Sequence, residues 1–487
     1  MPSVAWQPWH TAAFLDAQRR RRPVLLLLET AWSPACAQLH ATVLARDDVQ
    51  QAIAAAVVPV RVDADRRPDI GDRYGLGHWP SVLVLTPEGH VLTGGTQLDE
   101  TFAARIRDVS AAFATRDGGW VRDAIEGSHA GHLAQAHHAI DDDDPDASDA
   151  RARATLAAGV WATRDATSGA FTLHDVPSAS STLFALAHGR AAGDRAWLDA
   201  AGLTLDAVCG LVHGTDRSGV VAAVPGYGGG SPVARLEDQA DWIRAHARAL
   251  ALGVSSRDGM LHRLVEGLRT TFRRPDGHFR PWAAADAATA APGPTLVLVD
   301  ASARACRALL AAADVLDDAG LAREAIDALE VLAPQAYARA AGVTHVIDAD
   351  RPRGPVLLDD AMLLAQALAD ADPWRADDVY RDLADELLRT ATARLQDGTG
   401  ALVDRIAVLS GAGQLGRLGD PHHPLVGNAE AARLLVRLHP DDEAARRDAR
   451  RVLATVTPRA AGAGAFAAPV ALAWHALGPS GAAACAW

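Results

Sequence analysis

Lysine is missing from this chain: all 47 basic residues among its 487 are arginine. Without lysine there is no Schiff-base chemistry, which excludes pyridoxal-phosphate enzymes and lysine aldolases. There is also no Walker-A lysine, which excludes an ordinary P-loop nucleotide hydrolase. Asparagine occurs once, as Asn428 before Ala429-Glu430, so N-glycosylation is excluded. The 4 cysteines, Cys36, Cys209, Cys306 and Cys485, form no Cys-x-x-Cys pair. Such scatter fits a reducing compartment and no disulfide framework. Long apolar runs are missing too. The longest with strand character, Val24 to Leu28, is far short of the roughly 20 residues of a membrane span. Arg19–Arg22, that run and Ala35-Cys36-Ala37 imitate a signal peptide, but the run is short and Glu29 interrupts it. A cytoplasmic protein without a membrane segment is expected. With 60 acidic residues the net charge is −13, and no basic stripe offers a surface to nucleic acid.

What is present is ordinary for a globular protein: 49% hydrophobic and 22% charged residues. The length suggests two to four domains at roughly 100–200 residues each. In the first 116 residues, Trp6–Arg21 reads as a helix and Val24–Thr30 as a buried strand. Ser33-Pro34 supplies an N-cap and a first helical residue, so a helix runs from there to about Leu44. Asp47/Asp48 open a further helix to Ala56, and Val57–Val62 is a second strand. Pro68–Tyr74 is a short helix. Ser81–Leu85 and Val91–Thr93 form a hairpin about Pro87-Glu88-Gly89. Asp99–Thr115 closes the segment.

That order, with a helix opening at Trp32-Ser33-Pro34-Ala35-Cys36 and Pro80 just before the third strand, resembles thioredoxin. Three further stretches are more specific: Val62-Asp63-Ala64-Asp65-Arg66-Arg67-Pro68-Asp69-Ile70, Trp79-Pro80, and Leu85-Thr86-Pro87-Glu88-Gly89 with Gly94-Gly95-Thr96. They resemble the thioredoxin-like domain of the spermatogenesis-associated protein 20 family, whose usual motif here is Cys-x-x-Cys. In this chain Ser33 stands at the attacking position and Cys36 at the resolving one. The resemblance implies a cis Pro80 beside Cys36. Thiol–disulfide exchange needs both thiols, so dithiol activity is expected to be lost. Cys36 then reads either as a monothiol redox site activated by a helix N-terminus or as a small buried hydrophobe, and the second reading is favoured.

Residues 117–148 read as a linker. His129, His132, His137 and His138 precede the acidic run Asp141–Asp144, but their spacing matches no standard metal site. From residue 149 the chain repeats. Six glycines, Gly169, Gly219, Gly277, Gly342, Gly400 and Gly464, recur at nearly regular intervals. Each precedes a small or apolar pair, and two helical stretches lie between successive glycines. An unpaired helix at about 149–163 and another at about 468–478 bring the total to twelve. An open helical solenoid shares such a repeat, but the two unpaired helices can pair and close a ring. The expectation is an α/β thioredoxin-like domain at 1–116, followed by an all-α (α/α)6 six-hairpin toroid at 149–487.

In a toroid the first helix of each pair lines the inside, so the inner N-terminal ends gather at one mouth. They bring Ser178, Ser180, Glu237, Asp238, Asp300, Ser302, Asp359, Asp360, Asn428 and Glu430 there. Each is a residue that capping alone would select; together they make an acidic mouth. Loops add His278, Trp282, Arg353, His422 and His423. Aromatic and carboxylate side chains in one cleft suit a carbohydrate. Glu237, Asp238, Asp359 and Asp360 are the candidate catalytic carboxylates, and Asn428, Asp300, Trp282, His278 and Arg353 the candidate binding residues. No metal or cofactor is expected. Leu236-Glu237-Asp238-Gln239-Ala240, Leu358-Asp359-Asp360-Ala361 and Pro424-Leu425-Val426-Gly427-Asn428-Ala429 look like that family's pocket-facing helix starts. The family's barrel is in turn similar to six-hairpin glycosidases and to N-acylglucosamine 2-epimerase. The chain departs from the family at Val224-Pro225-Gly226-Tyr227-Gly228-Gly229-Gly230, a reduced loop, and at Asp300-Ala301-Ser302 in place of Trp-Asn. Three functions follow as expectations: a binding protein holding a carbohydrate-like small molecule, a carbohydrate-active hydrolase or epimerase, and a monothiol redox protein. The second predicts an open mouth with a sugar-sized pocket; a barrel plugged by side chains would sink it.

Overall fold

The structure, a computed structural model, describes residues 4–95, 98–115, 145–222, 232–254, 258–285, 295–375, 377–406 and 415–478. The histidine-rich stretch, the acidic run and the glycine-rich loop at 224–230 lie outside the described residues. The chain forms two compact units. One contains residues 4–115 together with 406 and 415–422; the rest belongs to the other.

The first unit is built on β1 (Val24–Glu29), whose residues are all buried. It pairs in parallel with β2 (Val58–Asp63) and antiparallel with β3 (Ser81–Leu85), which pairs with β4 (Val91–Gly95), giving the order β2-β1-β3-β4. Side chains alternate across the sheet with period two. Leu26 and Leu28 join Val60, Leu83, Phe14 and Tyr74 on one face. Leu25 and Leu27 join Val82, Val84, Ile53 and Phe102 on the other. Helices α1 (Thr11–Arg20) and α4 (Pro68–Tyr74) cover the first face. Helices α2 (Pro34–Ala41), α3 (Asp47–Ala56) and α5 (Phe102–Thr115) carry the residues of the second. Helix α1 starts later than its sequence suggests. His10 caps it, accepting from the Ala13 N–H at 3.0 Å, and Gln7 is drawn into a bridge with Val60.

One part of this core comes from far downstream in the chain. Leu418, on the short turn Gly416–Gly419, is 3% exposed among the residues of the first face. The turn is held by hydrogen bonds on both sides of the Tyr74 hydroxyl. The Arg417 N–H donates to that hydroxyl at 2.9 Å, and the hydroxyl donates to the Gly89 carbonyl at 2.8 Å. Arg73 Nε donates to the Arg417 carbonyl at 2.8 Å.

The second unit contains twelve α-helices among the described residues. They are α6 (Pro145–Trp161), α7 (Ala179–Ala192), α8 (Arg195–Cys209), α9 (Leu236–Ala251), α10 (Asp258–Gly267), α11 (Val299–Leu316), α12 (Ala319–Ala336), α13 (Leu358–Ala371), α14 (Val379–Leu395), α15 (Leu425–Leu438), α16 (Glu443–Ala461) and α17 (Ala468–Ala476). Polar caps start several of them: Ser178, Asp194, Asp318 and Asp442 each accept from a first-turn N–H. Helices α7, α9, α11, α13, α15 and α17 each pack on the next, and α17 returns to α7. The outer helices α8, α10, α12, α14 and α16 each pack on their own inner partner, while α6 packs on α17 and α16. The ring closes, and the unit is an (α/α)6 toroid. Inner helices such as α11 and α13 are apolar or small nearly all round, as helices packed on every side must be.

Five of the six repeat glycines have positive φ. At Gly400, with φ 89°, a Cβ would also lie 2.3 Å from Arg451 Cδ. The outer helix α10 continues irregularly past its last α-helical residue. After Gly267 it widens into a π turn at Leu268–Phe272, where a Cβ on Gly267 would sit 1.9 Å from the Gly219 carbonyl oxygen. The fourth repeat carries a hairpin of β5 (Gly342–Asp348) and β6 (Arg351–Val356). Among the described residues no helix is long and apolar enough to cross a membrane.

Candidate functional site

Ser33 caps α2, its Oγ accepting from the Cys36 N–H at 3.4 Å. Cys36 is 4% exposed, and burial pushes its thiol above the usual range in spite of the Ser33 hydrogen bond. A thiolate there is disfavoured. Pro80 follows a cis peptide bond after Trp79. A groove of about 360 Å³ in this unit is lined by Trp6, Pro8, Glu29, Arg61 and Asp63. The Glu29 carboxylate is already held there by His40 at 2.6 Å and by Arg61.

In the toroid, the starts of the inner helices hold two tiers of charge. The upper tier centres on a contact that joins three elements. His345, on β5, places Nδ1 3.0 Å from both oxygens of Asp360, in the first turn of α13. The Asp360 carboxylate also accepts from the backbone N–H of Asp300, in the first turn of α11, at 3.0 Å. Asp300 Oδ1 lies 3.9 Å from the same imidazole nitrogen and makes no hydrogen bond. His345 and Asp360 are buried. Burial, together with Asp300, outweighs His345 and pushes the Asp360 carboxyl up to about 6. With Nδ1 facing an ionised carboxylate, the imidazole proton sits on Nδ1 and the ring's basic lone pair on Nε2.

Glu237, half-exposed at the start of α9, faces the same space. Arg235 pulls its carboxyl down, but desolvation with Asp238 and Asp300 leaves it above the usual range. Arg235 binds Asp238 through two contacts of 2.8 Å and Glu237 at 2.7 Å. Trp282 lies opposite Arg235 in a short antiparallel ladder.

The lower tier lies one to three turns further along the inner helices. Arg304 on α11 reaches Asp241 on α9 at 3.2 Å, and Arg244 stands 3.6 Å from the same carboxylate. Arg307 binds Asp370 on α13 at 2.7 Å and stands 3.7 Å from Glu430 on α15, past the helix between them. Arg433 binds Glu430 at 3.0 Å, and Arg437 binds Asp370. Below the mouth, therefore, the lumen is crossed by ion pairs.

The other expected residues stand apart from this cluster. Asp359 is half-buried against Gly427, where a Cβ would lie 2.3 Å from its Oδ1. Arg353 is exposed on β6. His278 is buried, and burial lowers its pKa. His423 pairs with Asp397 at 2.7 Å. Asn428 is fully buried, and its amide is spent on backbone. Oδ1 accepts from the Leu402 N–H at 2.8 Å, and Nδ2 donates to the Leu402 and Pro424 carbonyls at 2.8 and 2.9 Å. Gln239 does the same work one half-ring away, accepting from the Val221 N–H at 2.8 Å and donating to the Gly219 and Leu264 carbonyls. Val221 and Leu402 each lie two positions past a repeat glycine, so both amides clip a glycine loop onto an inner helix.

His345 was not among the residues expected from sequence. Its signal was its position three places past the repeat glycine Gly342, in a segment that reads as loop.

These features define a thioredoxin-like unit joined to a six-hairpin toroid. Residues 1–121 match the family Thioredox_DsbH, described as "Protein of unknown function, DUF255". Over 101 residues the chain is 28% identical to an uncharacterized protein of Caenorhabditis elegans, covering 19% of this chain and 14% of that protein. It is 27% identical over 101 residues to spermatogenesis-associated protein 20 of Homo sapiens, covering 19% of this chain and 13% of that protein. The amino-terminal segment is thus similar to the thioredoxin-like part of spermatogenesis-associated protein 20, and the match spans only about an eighth of those relatives' length. Among solved structures, a D-mannose isomerase superposes with TM-score 0.51 at 16% identity, over 62% of this chain and 83% of its own. A sugar epimerase from a ruminal bacterium does so with TM-score 0.52 at 13% identity, over 63% and 86%. At these identities the likeness is one of fold.

Proposed function

We propose that the toroid mouth binds a carbohydrate-like small molecule and that the thioredoxin-like unit carries no dithiol exchange. The observation that carries the reading is the convergence of Asp300, His345 and Asp360 beside Glu237, with Asp300 Oδ1 buried and unbonded. A buried acceptor without a partner costs about 1–3 kcal/mol, which a ligand hydroxyl would recover. Carboxylates and an imidazole at one mouth suit a polyol, and the two toroids of like fold are named as a sugar isomerase and a sugar epimerase. For the thioredoxin-like unit, Ser33 in place of a thiol and the buried Cys36 support loss of exchange and weigh against a monothiol role.

Thermal-shift and calorimetric titration of the full chain with D-mannose, D-glucose and cellobiose tests the reading. Saturable binding that Asp300→Asn or Asp360→Asn weakens is expected. No binding to any sugar by the folded protein would overturn it.

A second reading, a carbohydrate-active enzyme, is favoured by one observation: the His345–Asp360 pair is built as an oriented base. It supports proton transfer more directly than hydrolysis by two carboxylates. Conversion of D-mannose to an isomer, followed by NMR and lost in His345→Gln, would establish it; binding without turnover leaves a binding protein.

A further inference from the structure

Beneath the mouth the balance of charge changes sign. Among the described residues of the lower tier, five guanidiniums, on Arg244, Arg304, Arg307, Arg433 and Arg437, meet three carboxylates, Asp241, Asp370 and Glu430. Two of the arginines are incompletely satisfied. Arg304 Nε and both terminal nitrogens of Arg307 are buried without a hydrogen-bond acceptor, and Arg307 is 1% exposed. Burial, then the neighbouring Arg307, pushes Arg244 down to about 10, whereas around Arg304 burial is outweighed by the carboxylates of Asp241, Glu237 and Asp300, which hold its guanidinium above the usual range. Burying an unpaired guanidinium N–H is costly, and hydrophobic packing of the lumen would have served stability as well. Arg304 follows Asp300 by one turn on α11, about 6 Å along the axis. A sugar seated against Asp300 and Asp360 would thus hold one of its substituents over Arg304.

The geometry points to an anionic sugar as the ligand: hydroxyls on the acidic upper tier, and a carboxylate or phosphate substituent on Arg304. The inference rests on the mouth being a carbohydrate site and names the class that it takes. Arginine suits this role because its planar fork binds carboxylate and phosphate through paired, charge-assisted hydrogen bonds.

Calorimetry on the full chain with D-glucose, D-glucuronate, D-glucose 6-phosphate and inorganic phosphate tests it. At least one anionic sugar is expected to bind about tenfold tighter than D-glucose or better, the gain of a charge-assisted pair. Its identity separates a carboxylate from a phosphate substituent. Arg304→Gln, checked for native helicity by circular dichroism, is expected to remove the preference. If D-glucose binds and neither anionic sugar binds tighter, the inference fails and the mouth reading stands. If no sugar binds but phosphate does, with loss in Arg304→Gln, the anion site stands and the sugar reading fails. An anion preference that persists in folded Arg304→Gln overturns the placement. Should that variant not fold, the wild-type ratio of anionic to neutral affinity decides alone.

Discussion

At the scale of single residues, the one asparagine in the chain has a structural explanation. Its amide offers a donor and an acceptor at once, and it uses both on the backbone of Leu402 while reaching Pro424 as well. Ser or Asp can cap a helix, but neither side chain can by itself satisfy an N–H and two carbonyls at a fully buried position. Asn428→Ala is expected to cost about 3 kcal/mol in denaturant unfolding, since it leaves buried backbone groups unbonded. Asn428→Asp is expected to cost at least as much, because its second oxygen would face two carbonyls. A variant as stable as wild type, within the small scatter of ordinary surface substitutions, would contradict this account. Asp360 supplies a prediction in pH. Its folded pKa is raised to about 6, so the native state holds a proton that the unfolded state has released. Stability contributed by Asp360 is then greatest at low pH and falls as pH rises from about 4 to about 6, by at most about 3 kcal/mol. In melts between pH 4 and 7, the Tm of Asp360→Asn relative to wild type is expected to rise with pH; a constant difference would refute the assignment. The carboxylates of this site were legible in sequence because they open helices. His345 and the arginines were not. One lies on a hairpin that reads as loop, and in a chain where every basic residue is arginine a functional arginine carries no compositional mark.

At the scale of elements, the glycine repeat predicted the inner and outer helices well because five of its six loops need a left-handed turn and each helix its own apolar face. The thioredoxin-like strands were legible for the same kind of reason: β1 is a short apolar run bounded by turn signals. The turn Gly416–Gly419 was not. It completes a core whose other members all lie in the amino-terminal segment, and no local pattern encodes such a distant pairing. Leu418→Ala leaves a cavity beside Phe14 and Tyr74, and it is expected to destabilise the thioredoxin-like unit by about 2–4 kcal/mol. Hydrogen exchange reads this locally. Amides of β1 and β3 should exchange faster in Leu418→Ala, with the inner helices of the toroid unaffected. Unchanged protection of β1 would show that the turn rests on the core without supporting it. By the same reasoning, residues 1–116 expressed alone leave the Leu418 socket open to water.

At the scale of the whole molecule, closure separates this toroid from a solenoid of similar repeats. In a solenoid each repeat touches only its neighbours, so losing a terminal helix removes one interface and stability declines in steps. Here α17 packs on α15, on α7, on α16 and on α6, joining the two ends of the ring. Its Trp474 is 2% exposed and donates from Nε1 to Thr457 Oγ1 at 2.8 Å. Trp474→Ala removes a large buried side chain from the helix that joins the two ends, and it is expected to cost about 3–5 kcal/mol. What distinguishes the ring is where the cost appears. Opening the α17–α7 seam exposes the inner faces of helices from both ends, so protection should fall in α7 as well as in α17 and α15. The sugar affinity proposed above should fall with it, because the proposed site spans the starts of three neighbouring inner helices, α9, α11 and α13. Hydrogen exchange on Trp474→Ala therefore decides between two outcomes. Loss of protection in α7, at the opposite end of the toroid's sequence from the substitution, is the signature of a closed ring; loss confined to α15, α16 and α17 would mean that the ends meet without stabilising each other.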